Sequence, residues 1–182
     1  MSQETEKLRM ALADQAEHLY VDASYSSRGH YEEAANFAKL SRFLGVPLAI
    51  VGGLAAAAAG ASALLNDQRL VTAGLALASA VLTSVHGFFR PEENAEAHGA
   101  KAGRYKAIRD DALLFLKIDL VSGASEAELV GRLKAMRNEY KDLALLKPHR
   151  ISRGAYERAR AGIERGEASY ENDPLWKDLD KP

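Results

Sequence analysis

The sequence predicts an all-α chain: a two-transmembrane helical hairpin with an N-terminal helix and long C-terminal cytoplasmic helices. Three observations carry this. Phe43 to Leu65 is 23 residues without a charge, and Leu70 to Phe89 is 20 more. Only Asn66, Asp67, Gln68 and Arg69 separate them. About 20 apolar helical residues cover the roughly 30 Å hydrocarbon core of a bilayer. Lipid offers no partner to backbone N–H and C=O groups, so such a segment must be helical, and a four-residue link makes the pair antiparallel.

The rival arrangement is a hairpin buried inside a soluble helical interaction protein. It draws on the eight Ala and four Gly of Phe43–Leu65, each a weak membrane anchor. Against it, neither segment has the charged face that helices of soluble proteins keep.

At 182 residues the chain suits one ordinary domain. Its net charge of −1 offers no general attraction to nucleic acid, and no nucleic-acid polymer is expected as a partner. The absence of Cys excludes disulfide scaffolds and thiolate-ligated metal centres. The first 42 residues carry scattered acids and no early apolar core, unlike a secretory signal. The chain divides into an N-terminal cytoplasmic region over 1–42, the hairpin over 43–89 with spans 43–65 and 70–89, a cytoplasmic helical region over 90–170, and a polar tail over 171–182.

In the first region Leu8, Leu12, Ala16, Leu19 and Ala23 recur at helical spacing. Ser24 to Gly29 reads as a break, and His30 to Arg42 resumes helix into the membrane. Residues 1–35 hold seven acids against Lys7, Arg9 and Arg28. In the first span Gly52, Ala56 and Gly60 repeat every fourth residue, a small-residue pattern that lets helices in lipid approach closely. It serves packing within the hairpin and between copies.

The second span has two stripes. Thr72, Ala76, Ser79, Thr83 and His86 follow a 4-3-4-3 spacing that reaches Arg90, and form the candidate pore lining. Val71, Leu75, Ala78, Leu82, Val85 and Phe89 form the other. One hairpin cannot enclose a channel, so a pore requires a homo-oligomer. Basic residues stay cytoplasmic. Arg28, Lys39 and Arg42 precede the first span, Arg90, Lys101 and Arg104 follow the second, and the link holds Arg69 beside Asp67. Both termini are therefore expected in the cytoplasm.

Pro91 is placed to kink the exit from the bilayer. Glu93 to about Val121 reads as helix, ended by Ser122-Gly123. Ser125 and Glu128 form a capping box for the next helix, whose seam is Leu129, Leu133, Met136, Tyr140 and Leu143 and whose stop is Pro148. Ser152 to about Arg165 is a last short helix, followed by a tail with Trp176. Lys147, Arg150, Arg153, Arg158 and Arg160, with His149 nearby, form a basic cluster. It suits a phosphate or an acidic partner. The plainer alternative pairs it with the acidic N-terminal helix.

Catalytic motifs do not occur. The five His residues (His18, His30, His86, His98, His149) are scattered, with no H-E-x-x-H, G-x-S-x-G, P-loop or G-x-G-x-x-G. Asp110 and Asp111 would diverge by about 100° on a helix. No enzyme activity, catalytic residue, cofactor or metal site is expected.

Around the start of the first span the residues read His30-Tyr31-Glu32-Glu33-Ala34-Ala35, then Arg42-Phe43-Leu44-Gly45-Val46-Pro47. A His-Tyr-x-x-Ala helix, then a basic residue and Leu-Gly-Val-Pro opening a small-residue span, resembles the SLATT family (SMODS- and SLOG-associating two-transmembrane effector domain). The resemblance covers about residues 8 to 165. It implies a bacterial inner-membrane effector of antiviral defence and abortive infection, forming a pore or disrupting the membrane on a trigger. By position, His30, Tyr31, Arg42, Gly45 and Pro47 are the family-like structural residues. This chain carries no fused sensor domain, so the trigger implied is a separate sensor protein or a nucleotide second messenger. A non-conducting membrane scaffold that recruits a cytoplasmic partner through the basic cluster is the alternative.

Overall fold

The computed structural model describes residues 3–62, 69–147 and 150–166. In chain order they form α1 (Gln3–Ser62), α2 (Arg69–Phe89), α3 (Pro91–Lys117), a 3-10 turn (Asp119–Val121), α4 (Glu126–Leu145) and α5 (Arg153–Glu164). The fold is all-helical, with no strand among the described residues. The link residues Asn66, Asp67 and Gln68, Pro148, His149, and the tail with Trp176 lie outside them.

The expected break at Ser24–Gly29 does not occur: α1 is one helix of 60 residues. Serines favour turns when their hydroxyls compete for backbone groups. Here each hydroxyl is satisfied within the helix or by a neighbour. Ser24 Oγ donates to the Tyr20 carbonyl at 2.7 Å, Ser26 Oγ lies 3.0 Å from the Tyr140 hydroxyl, and Ser27 Oγ donates to the Ala102 carbonyl at 3.0 Å. Gly29 is a packing residue, because a Cβ there would lie 2.6 Å from Ile151 Cδ1. Further on, Pro47 sits inside α1, where it can donate no hydrogen bond to the preceding turn.

Two compact units divide the chain. The first is made of residues up to Glu33 and from Ala97 onward; the second spans Ala34–Glu96. In the first, Leu12, Ala16, Leu19 and Ala23 of α1 are buried with Tyr105, Ile108, Ala112 and Phe115 of α3 and Leu129, Leu133 and Leu143 of α4. The seam positions read from the sequence on α1 and α4 are therefore core positions, with Leu8, Met136 and Tyr140 partly buried against them. Ser125 and Glu128 form the expected capping box. The turn between α3 and α4 is pinned from α1, where Arg9 donates to the Leu120 and Ala124 carbonyls. Arg132 closes the same turn on Asp119 at 2.7 Å.

The second unit holds the end of α1, all of α2 and the start of α3. Its half-buried residues follow a helical seam on each apolar helix: Leu44, Leu48, Val51, Ala55 and Ala58 on α1, and Thr72, Leu75, Ser79, Leu82 and Val85 on α2. Gly45, Gly52 and His86 are also half-buried, and most of the remaining surface of both is exposed. Between α2 and α3 the helix is interrupted, not merely kinked. Arg90 adopts φ 41°, a left-handed conformation that is costly for a residue with a Cβ. Pro91 follows as the first residue of α3, a position where its missing N–H is harmless. The Asn94 side chain donates to the Phe89 and Arg90 carbonyls, satisfying groups that the interruption exposes.

Candidate functional site

Two regions stand out, one in each unit. In the second unit, two helices are long and apolar enough to cross a membrane, and no residue in their most apolar windows is buried. Exposed apolar side chains line both: Phe43, Val46, Ile50 and Leu54 on α1, and Leu70, Val71, Leu77, Val81 and Phe88 on α2.

The polar stripe of α2 is unevenly covered. Thr72, Ser79 and His86 are half-buried, sharing the seam with Leu75, Leu82 and Val85, whereas Ala76, Thr83 and Arg90 are exposed. The Ser79 hydroxyl is buried without a hydrogen-bond partner. On α1, Gly52 is half-buried, while Ala56 and Gly60 are exposed. A Cβ at Gly52, Gly53 or Gly60 would meet nothing within 4 Å. The space beside these three glycines is open, whereas Ala55 and Ala58 lie in the half-buried seam of the helix.

The basic cluster is largely internally matched. Arg158 pairs with Glu32 of α1 at 2.9 Å, Arg153 with Glu157 at 2.8 Å, and Arg160 with Glu164 at 2.7 Å. Lys147 and Arg150 are exposed on the link before α5. Of the family-like residues, His30 is buried, Tyr31 and Arg42 are exposed, Gly45 is half-buried without a close neighbour, and Pro47 is exposed.

His30 belongs to a buried polar cluster in the first unit that spacing within one segment does not reveal. His30 is 4% exposed, His98 3% and Lys101 5%. The Nδ1 atoms of His30 and His98 lie 2.8 Å apart. One ring must donate and the other accept, so this contact holds a single Nδ1 proton. Tyr105 stacks on His30 at 5.7 Å between centroids, and Lys101 Nζ lies 6.0 Å from the Tyr105 ring while donating to the Leu146 carbonyl at 2.6 Å. Burial lowers the His30 pKa to about 4, helped by His98 and Lys101 and opposed by Glu33. Burial lowers His98 and Lys101 as well, and raises Tyr105 to about 12. Burial thus works against the charged form of every member, and the histidines and Tyr105 are neutral at neutral pH.

A sequence signal for this cluster exists. The α1 seam continues past Ala23 through Ser27 to His30, and on α3 His98, Lys101, Tyr105, Ile108, Ala112 and Phe115 run at alternating three- and four-residue spacing. Extending both seams past their apolar members brings the two histidines to the same end of the core.

Among the described residues, no group of three His, Cys, Asp or Glu side chains could hold a metal ion. No family model, curated protein or solved structure matches the chain.

Proposed function

We propose that this chain is an oligomeric membrane effector: α1 and α2 cross a bacterial inner membrane as a hairpin, and the first unit is its cytoplasmic control bundle. The observation that carries this reading is that no residue of the most apolar windows is buried. The core helix of a soluble protein buries such a stretch. Monomeric soluble proteins rarely leave contiguous apolar patches above a few hundred Å² in water. Lipid covers that surface without any further protein.

Copies of the chain then meet through the exposed small-residue face of α1, around Gly53, Ala56 and Gly60, where a Cβ at Gly53 or Gly60 would meet nothing within 4 Å among the described residues. Thr83 and Arg90 are the exposed polar members of the α2 stripe and line an opening between hairpins. The positive-inside distribution directs both termini to the cytoplasm. The SLATT-like residues around His30 and Arg42 support a role in antiviral defence. There, a nucleotide or a separate sensor protein would shift the bundle towards the conducting assembly by binding it preferentially.

Reconstitution in liposomes tests the pore. Potassium efflux that rises with oligomer formation supports it. Cross-linked oligomers in intact, non-leaking liposomes would refute it and leave the membrane scaffold.

A further inference from the structure

The buried histidine pair sits at a distinctive place in the chain. His30 lies three residues before α1 leaves the first unit, and His98 lies one residue after α3 joins it. The pair therefore fastens the ends of the two helices that run on into the apolar unit. On the core side of the pair, the seam is wholly apolar from Ala23 and Ile108 onward.

We propose that the His30–His98 pair is an acid-operated latch, closing α1 on α3 while the two rings share one Nδ1 proton and releasing them when both Nδ1 atoms are protonated. The geometry dictates this. At 2.8 Å, two Nδ1 atoms can share one hydrogen but cannot each carry one, because two N–H groups would then point at each other. Double protonation also places two cations in contact in a site that excludes water, where repulsion is weakly screened.

Charges on every neighbouring element decide the direction. From α3, Lys101 faces the pair and adds a further positive charge. From α1, Glu33 favours the protonated rings, but its carboxylate also accepts both the N–H and the hydroxyl of Ser152. Glu32 is engaged by Arg28 and Arg158. From α4, Tyr140 approaches through Tyr105. The link before α5 contributes apolar Ile151 beside Gly29, with Lys147 and Arg150 exposed. The carboxylate that favours the charged rings is thus shared with Ser152, and a second proton on the pair meets Lys101 with little offset. At neutral pH, by contrast, both rings are uncharged and the latch is closed.

The test uses the full chain in detergent micelles. Because the chain has no cysteine, Asp22→Cys and Ala107→Cys, both at exposed positions, carry a unique spin-label pair across α1 and α3. Their distance distribution is recorded from pH 7.5 to 3.5. The latch requires one short distance at neutral pH that lengthens or broadens with a midpoint between about pH 4 and 6. His98→Gln keeps a neutral hydrogen-bonding group but takes no proton. In it, and in His30→Gln, the midpoint should fall by at least one pH unit or vanish. An identical acid midpoint in all three proteins would assign the opening to carboxylates and overturn the proposal, as would a wild-type pair closed at pH 3.5. Should a variant be open already at neutral pH, ring-nitrogen NMR of the wild-type chain decides. Two histidines titrating near 6.5 in the closed state contradict the latch, and two resisting protonation until it opens support it.

Discussion

The Ser152 hydroxyl serves two bonds at once, so its removal should loosen α5 without unfolding the bundle. Oγ accepts from the Ala155 N–H at 3.3 Å, capping α5, and donates to the Glu33 carboxylate at 2.6 Å. Loss of an N-cap costs about 1 kcal/mol. A hydrogen bond to a charged group contributes roughly 1.5 kcal/mol or more, less where water competes as it does here. Ser152→Ala should therefore weaken docking of α5 by about 2 kcal/mol, which at about 1.4 kcal/mol per tenfold is roughly 30-fold in the open fraction. The Ser152 N–H bond to Glu33 at 3.2 Å and the Arg158–Glu32 pair remain, so docking persists. Hydrogen exchange read by mass spectrometry is the assay. Protection over 155–164 should fall about 30-fold while protection over the core stretch 105–115 stays unchanged. Unaltered exchange in α5, or an equal loss in both regions, would refute the reasoning.

Phe115 is fully buried, and Phe115→Ala should cost about 3–5 kcal/mol in urea unfolding of the bundle, the range for a large core deletion. Arg90→Gly relieves a left-handed φ and should raise stability by up to about 1 kcal/mol; a loss would show that the Arg90–Glu93 contact outweighs the strain. Stability should also fall with acid. Because the folded chain holds His30 at about 4 against 6.5 when unfolded, the unfolded state binds more protons between those values. The His30 contribution is then full above pH 6.5 and lower by roughly 3 kcal/mol below about pH 4, a slope that His30→Gln should reduce and that His98, shifted in the same direction, should partly keep. In liposomes, Thr83→Leu should cut potassium efflux several-fold. Ser79→Ala, which removes a buried unpartnered hydroxyl, should leave efflux intact and stabilise the chain by about 1 kcal/mol.

Much of the helical order was legible because it rests on local chemistry. The charge-free runs at 43–65 and 70–89, the Ser125 cap, and the Leu129–Leu143 seam all express spacing along one helix. What failed was local reasoning about residues whose partners are distant. Ser24, Ser26, Ser27 and Gly29 carry a turn composition, yet Tyr140, Ala102 and Ile151 supply the contacts that keep them helical. The interruption at Arg90 was displaced by one residue in the reading, since Pro91 announced it but its neighbour takes the strained φ. The α2 stripe follows from spacing and polarity, which carry no information on cover: Thr72 and Ser79 are half-buried beside Leu75 and Leu82, while Thr83 is exposed. The histidine pair, separated by 68 positions, needed both seams to be followed together.

The membrane hairpin is tested most directly by oxygen and nickel-chelate relaxation of single spin labels in liposomes. Labels are placed at Val46, Ile50, Leu54, Leu77 and Val81, all more than half exposed. Lipid-facing labels should relax strongly with oxygen and hardly at all with the chelate, most markedly midway along each helix. Strong chelate relaxation at these five positions, or shielding from both agents, would place the apolar helices in water or inside protein and contradict the account.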